Sequence, residues 1–410
     1  MDPAGKIASQ DWMTAAETKA VIAALTRKGA IVRFVGGCVR DAILGRKVKD
    51  IDIATHDPPE TVIKLLEAAR IKAVPTGIEH GTVTAVINRA HFEITTLRED
   101  VETYGRHAKV AFTDDWKADA ARRDFTFNAI FCGPDGTLFD PFGGIEDLHA
   151  GRVRFVGDPE TRIKEDVLRL LRFFRFHAHY GKGAPDPAAL AACRKLAEFL
   201  PTLSGERVAG EILRLLSAVD PAPVVDLMQK DGVLAHVLPE AEHIRKLVTL
   251  AAIENELGEN DPLLRLASML RRDIEVAQAI AERLRLSRAE RERLAALVAP
   301  EIPVTVTGDE KIHRRELYRL GAAHYRDLAL LAWADSPAAN DSRFQAMLAS
   351  IQEWKPKEFP IKGRDVLALG IENGPKVGDF LRRVEDWWIG SDFRPDREAC
   401  LEKLRKLAAH

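Results

Sequence analysis

FVGGCVRDAILGRKVKDIDIAT, residues 34–55, decides how the chain folds. A short apolar run ends in Gly36 and Gly37, a helix-compatible stretch follows, and a second apolar run carries Asp50 and Asp52 at alternate positions. The glycines let the backbone come close to an anion, and a helix opening at Cys38 or Val39 aims free N–H groups at it. Arg40 adds positive charge there. Side chains on a strand alternate between faces, so Asp50 and Asp52 share one face while Ile51 and Ile53 turn into a core. Two carboxylates on one face can share divalent ions, and oxygen-only ligands suit Mg²⁺. An acid pair of this spacing also occurs in turns and on surface strands; the glycine pair in front of it makes the catalytic reading the stronger one.

Working outward, further β-branched segments stand at 31–35 (IVRFV), 81–87 (GTVTAVI), 91–97 (HFEITTL) and 152–156 (RVRFV), so this region is predicted to be α/β. After Pro159 the spacing turns helical and stays so to the end, interrupted by Pro/Gly-rich stretches at 181–189, 298–310 and 355–363. The predicted organisation is an N-terminal helix (1–30), an α/β head (31–156), and all-α neck (157–240), body (241–340) and tail (341–410).

The totals fit this division, because 410 residues exceed one compact core. Four cysteines at 38, 132, 193 and 400 form no CxxC pair, which points to a reducing compartment, the cytoplasm. No apolar run approaches membrane-spanning length and the first twenty residues have no signal-peptide core, so neither secretion nor a membrane is expected. With 60 basic and 62 acidic residues, any surface for phosphate must be local.

Three more stretches carry chemistry. In HFEITTL, Glu93 faces away from Phe92 and Ile94, placed to act as the third acid of a two-metal phosphoryl transfer or simply as a solvent-facing strand residue. In ARRDFTFNAI (121–130), Arg123 is assigned to the nucleotide's phosphates and Arg122 is left open; Asp124 could make this a structural ion pair instead. In EDVLRLLRFFRF (165–176), Asp166, Arg169, Arg172 and Arg175 recur every third residue on a predicted helix. That pattern fits a salt-bridged helix surface or nucleobase recognition. Cytosine and adenine both set an amine donor beside a ring-nitrogen acceptor, and an Asp next to an Arg mirrors that edge, whereas uracil and guanine would set a carbonyl against the carboxylate.

In this order the stretches resemble class II CCA-adding enzymes, tRNA nucleotidyltransferases that share their architecture with bacterial poly(A) polymerases. GGCVRD, DID, HGTVTAVI, FEITTLR, RRDFTFNA, DPFGG, EDVLRLLRFFRF and SGERVAGEI carry the resemblance from 34 to 216. It implies an α/β nucleotidyltransferase-like head with a mixed sheet, followed by all-α neck, body and tail, and template-independent addition of CCA to the tRNA 3′ end from CTP and ATP with two Mg²⁺ ions. Asp50, Asp52 and Glu93 would be the catalytic carboxylates, with Asp50 and Asp52 as metal ligands. Gly37, Arg40 and Arg123 would hold the triphosphate. Asp166 and Arg169 would select the base, and Arg172 and Arg175 would extend that site. Residues 98–117 resemble the flexible loop that CCA addition uses, and 362–384 resemble the tail that supports the tRNA elbow, with Gly370, Gly374 and Gly378 as close-approach points or ordinary helix caps. At 261–273 the His-Asp pair of a phosphohydrolase is absent, so no second activity is expected. No obligate protein partner is implied. The rivals are poly(A) synthesis, partial CC or A addition, and a non-catalytic RNA-binding protein, which would have no reason to crowd acids near phosphates.

Overall fold

The computed structural model describes residues 1–104, 107–306, 309–336 and 342–409, and the side chains of these outside 100–110. The chain divides into two compact units, Met1–Pro239 and Glu240–His410.

The first unit is built on an eight-stranded mixed sheet. Its strands are β1 (Gly5–Lys6), β2 (Val32–Val35), β3 (Ile51–Thr55), β4 (Lys72–Gly77), β5 (Thr82–Ile87), β6 (Ala90–Thr96), β9 (Phe131–Cys132) and β10 (Thr137–Phe139), in the order β1-β10-β9-β2-β3-β6-β5-β4. β7 (Arg98–Tyr104) and β8 (His107–Phe112) pair only with each other. All neighbours in the large sheet run antiparallel except β3 and β6, whose parallel register aligns Ile51 with Phe92, Asp52 with Glu93 and Ile53 with Ile94. Phe34, Ile53, Phe92 and Ile94 are all buried, as the alternation requires. Val35 and Ala54, with Phe131, form a core cluster that Ala120 of helix α2 (Trp116–Ala121) joins. Two residues before Ala54, Asp52 continues the same strand face.

Several local readings change. The first thirty residues hold β1 and two helices, Asp11–Thr14 and Ala16–Thr26, not one helix, because Ala15 is extended (φ −53°, ψ 143°) and breaks the run. RVRFV is not a strand: it makes a single bridge, Phe155 with Phe125, because its partner turns into a 3₁₀ segment at Thr126–Asn128 and offers nothing further to pair with. Pro75 sits in β4, an edge strand, where a missing N–H is tolerated. Within 98–117, the segment that resembles the loop of CCA addition, Arg98–Tyr104 and His107–Phe112 pair as an antiparallel ribbon. Gly105 of that loop and the expected body-to-tail edge at 340/341 lie outside the described residues.

Helix α1 (Gly37–Ile43) follows β2 directly. Beyond the sheet come α3 (Pro159–Glu165), α4 (Leu168–Tyr180), the helix Pro187–Leu196, α5 (Gly205–Leu216) and the helix Ala222–Lys230. α4 packs along α5. Phe125, Phe127 and Phe155 meet Phe173 and Phe176 of α4 in an aromatic cluster with centroid separations of 4.7–6.0 Å. This cluster seats the helix against the sheet region through a large apolar area with little rotational freedom. The named elements of the second unit are all helices among its described residues, ending in Pro375–Gly390 and Arg397–Ala408 around Val384, Trp388 and Leu404. Glu254 and Arg265 form a fully buried ion pair there.

Two glycines test the packing in opposite senses. A Cβ on Gly144 would lie 2.2 Å from the Thr126 carbonyl oxygen, whereas one on Gly210, in the middle of α5, would meet nothing within 4 Å. Gly144→Ala should therefore destabilise the first unit by about 1–3 kcal/mol, and Gly210→Ala should stabilise it by about 0.5–1 kcal/mol. Denaturant unfolding of both variants checks the opposite signs.

Candidate active site

Gly36 leaves β2 at φ +74° and ψ −130°, a conformation open to glycine and strained for other residues. A Cβ there would stand 3.6 Å from Asp52 Oδ2 and 3.8 Å from Arg123 Nη1. The bare backbone thus lies between a carboxylate and a guanidinium. Gly37 opens α1, one residue before the earliest start expected, and a Cβ on it would be 3.7 Å from Arg40 Nη2. Arg40 is held by three contacts: Nε and Nη2 donate to Asp41, and Nη1 donates to Asn128 Oδ1 at 2.8 Å.

The three acids occupy neighbouring backbone positions. Asp52 and Glu93 are register partners on adjacent parallel strands, and Asp50 immediately precedes β3. Burial, followed by the nearby Glu93 carboxylate, pushes the Asp52 carboxyl up to about 6; Asp50 adds to this, while Arg123 and Arg40 oppose it. Asp50 and Glu93 are exposed. Among the described residues no three His, Cys, Asp or Glu side chains already close into a metal cage. The acids instead form an open edge whose mutual repulsion a cation would relieve, and an all-oxygen donor set fits a hard divalent ion.

Gly36, Gly37, Asp50 and Asp52 line a cleft of about 790 Å³, together with Arg40, Arg123, Asp166, Arg169, Arg172 and Arg175. That volume suits a nucleoside triphosphate. Glu93 is not part of the lining; it meets the others through strand register alone.

The arginines are each tied to an acid. Asp119 is almost fully buried and accepts from Arg122 through Oδ1 (2.7 and 2.9 Å) and from Arg123 through Oδ2 (3.0 and 3.2 Å). Asp119, not Asp124, is therefore the structural partner of the arginine pair. It precedes them by three and four residues on α2, a helical spacing legible in DWKADAARR. Arg123 keeps Nη1 directed at Gly36. Asp124 pairs across to Arg172 at 2.5 Å and accepts from the Asn128 side chain at 3.0 Å.

Asp166 and Arg169 depart most from expectation. Asp166 is not helical (φ −150°, ψ 106°); it sits in the break between α3 and α4 and caps the new helix by accepting from the Leu168 N–H at 3.2 Å. It therefore makes no i, i+3 helical pair with Arg169. Its Oδ2 accepts from Arg207 of α5 at 2.8 Å. Arg169 is braced by Glu165 at 2.6 Å and by the carbonyls of Arg162 and Arg122 at 3.1 and 3.2 Å. Both side chains nonetheless face the same cleft. Arg175 joins Glu211 at 3.1 Å, and Arg172 reaches the same carboxylate at 3.9 Å. Glu165 and Asp119 stood within helical reach of their arginines in the sequence, whereas the Arg207 and Glu211 contacts join separate helices and have no local signature.

The mixed sheet, the glycine turn and the acid edge beside an arginine-lined cleft define a nucleotidyltransferase head. Residues 32–154 match the family described as Poly A polymerase head domain, and 184–244 match "Probable RNA and SrmB- binding site of polymerase A". The chain is 33% identical to a mitochondrial CCA tRNA nucleotidyltransferase 1 of Danio rerio, over 91% of this chain and 86% of that protein. It is 31% identical to a CCA-adding enzyme of Streptococcus gordonii, over 95% and 97%. Its fold superposes on the Bacillus stearothermophilus CCA-adding enzyme in complex with CTP with a TM-score of 0.80 at 26% identity, covering 98% of each chain. The chain belongs to the class II CCA-adding enzyme family.

One buried acid gives a pH test. Burial pushes the Asp124 carboxyl up, but Arg172, the Asn128 side chain and the Phe125 N–H outweigh it and hold the group at about 2. A carboxyl lower in the folded than in the unfolded chain stabilises above its unfolded pKa of about 4 and loses that contribution as pH falls toward 2. Asp124→Asn should cost on the order of 2 kcal/mol at pH 7, with the gap to the parent closing between pH 4 and 2 in urea unfolding. A gap constant across that window would contradict the assignment.

Proposed function

We propose that the chain adds C and A residues to the 3′ end of tRNA from CTP and ATP without a nucleic-acid template. The observation that carries this is the parallel register of Asp52 with Glu93, next to Asp50 and facing the Gly36 turn and Arg123. An acid edge of that kind beside an arginine-lined cleft suits phosphoryl transfer, and the curated relatives named above support CCA addition over other uses.

In this reading Gly36 and Gly37 let the triphosphate approach the backbone, while Arg40 and Arg123, held by Asp41, Asn128 and Asp119, neutralise its charge. Two Mg²⁺ ions held by Asp50 and Asp52, with Glu93 beside them, supply the charge neutralisation that an attacking 3′ oxygen and a leaving pyrophosphate need. The 3′ hydroxyl gives up its proton at the acid edge, its oxygen bonds to the α-phosphorus of CTP or ATP, and the bond to the β-phosphate bridging oxygen breaks.

Asp166 and Arg169 select the base. Bracing of Asp166 by Arg207 and of Arg169 by Glu165 fixes both before a nucleotide arrives, so U or G would leave a fixed polar group unpaired. Arg172 and Arg175 extend the same wall. The four cysteines are free and buried, in keeping with a reducing compartment such as the cytoplasm.

The purified chain, given tRNA lacking its 3′ end and each triphosphate singly and together with Mg²⁺, should produce ends that stop at CCA, and chelation should abolish transfer. Long A tracts would select poly(A) synthesis instead, and products stopping at CC the partial enzyme. Asp52→Asn should lower kcat by about 10³-fold or more with the fold retained; near-normal turnover would remove the acid edge from the mechanism. Asp166→Ala should raise the relative kcat/KM for UTP and GTP, and a variant still confined to CTP and ATP would refute base selection by this pair.

A further inference from the structure

One corner of the cleft adjoins the nucleotide contacts above, since Tyr180 donates to Asp41, the carboxylate that also holds Arg40. It is formed by His179, Tyr180, Arg214 and Ser217, and the loop between α1 and β3 reaches it. Arg46 of that loop is exposed; its Nη2 donates to the His179 carbonyl at 2.9 Å, and its guanidinium lies 4.4 Å from the centre of the Tyr180 ring. His179 Nε2 donates in turn to the Arg214 carbonyl at 2.7 Å. His179 thus takes the Arg46 guanidinium on its carbonyl and the Arg214 backbone on its ring, while the Arg214 side chain lines the same cleft.

Their charge is poorly neutralised. Arg46 has no carboxylate partner among the described residues, and Arg214, 66% exposed, has only Glu211 at 3.8 Å. Glu211 already faces Arg175 at 3.1 Å and Arg172 at 3.9 Å, so one carboxylate serves three guanidiniums. Lys47 and Lys49, exposed on the same loop, also lack a carboxylate partner among the described residues, and the loop runs directly into Asp50. Burial lowers the pKa of His179; the hydrogen bond to the Arg214 carbonyl opposes this, and Arg175, Arg46 and Arg40 add to it.

We infer that Arg46 and Arg214, bracketed by His179, grip the backbone phosphates of the RNA strand that leads into the acid edge. This rests on the RNA-extension reading above and deepens it by naming the primer's docking surface. A single strand carries a phosphate at every nucleotide, and two guanidiniums at one corner can meet successive phosphates. The chain as a whole is nearly neutral, so a local corner of uncompensated charge is where affinity for a polyanion arises.

The test is steady-state kinetics and direct tRNA binding with the full chain, comparing the parent, R46Q/R214Q, R46K/R214K and K47Q/K49Q. In R46Q/R214Q, KM for tRNA lacking its 3′ end should rise about tenfold or more, with KM for CTP within about twofold, because the loss falls on one substrate only. The log–log salt dependence of tRNA binding should flatten by about 0.7 for each lost contact. R46K/R214K should keep most of that slope, which separates lost charge from a disturbed fold. K47Q/K49Q, altered only at exposed positions, should flatten the slope as well. An unchanged KM for tRNA with an unchanged slope in both Gln variants overturns the inference, as does an equal rise in KM for CTP, which would assign the corner to the triphosphate. A parent chain that binds tRNA with the expected slope yet extends none would count against CCA addition and leave this docking surface standing.

Discussion

Placing two carboxylates side by side on neighbouring parallel strands is the constraint around which the first unit is organised. The β3–β6 register brings Asp52 beside Glu93 at the spacing of paired strands, roughly 4.8 Å between backbones. Like charges so close repel, and the upward shift of Asp52, owed first to its burial, includes that repulsion. The arrangement persists because the strands are anchored elsewhere: Ile51 with Phe92 and Ile53 with Ile94 on the buried face, and Val35, Ala54 and Phe131 in a packed cluster. Sliding one strand by a single residue would separate the acids but would also turn Phe92 and Ile94 out of the core. Apolar packing therefore holds in place an electrostatically unfavourable edge.

Around it the protein answers with paired opposite charges. Asp119 holds Arg122 and Arg123, Asp124 holds Arg172, Asp166 holds Arg207, Glu165 holds Arg169, and Glu211 holds Arg175. Most of these carboxylates are buried or half-buried, where an unpaired charge would be costly. Their pairing fixes the direction of each guanidinium, so a cleft rich in flexible side chains is organised before any ligand enters. The orientation comes from helix–helix and helix–sheet contacts, and the Phe125–Phe127–Phe155–Phe173–Phe176 cluster sets those contacts.

Much of this was legible in the residues, and the limits were physical. The glycine pair, the alternating acids and the outward-facing Glu93 follow from local periodicity, which depends only on the backbone. That Asp52 and Glu93 are neighbours is a matter of strand order over forty residues, which no local rule supplies. The helical spacing of Asp166, Arg169, Arg172 and Arg175 continues smoothly through a point where the chain breaks, because a side-chain cap on the Leu168 N–H lets a new helix begin there. The hairpin β9–β10 has its turn residues in GPDG, but strands of two and three residues carry too little pattern to stand out. RVRFV has the pattern of a strand and lacks only a partner long enough to pair with.

The carbonyl oxygen of Arg122 accepts from the guanidiniums of both Arg162 and Arg169. The side chain of the same residue grips Asp119, which in turn orients Arg123. Arg122 therefore lies between the guanidinium proposed for the nucleobase, Arg169, and the one proposed for the phosphates, Arg123. In the proposed reading, a substitution at Arg122 would disturb the supports of both guanidiniums at once, through its carbonyl at one end and Asp119 at the other.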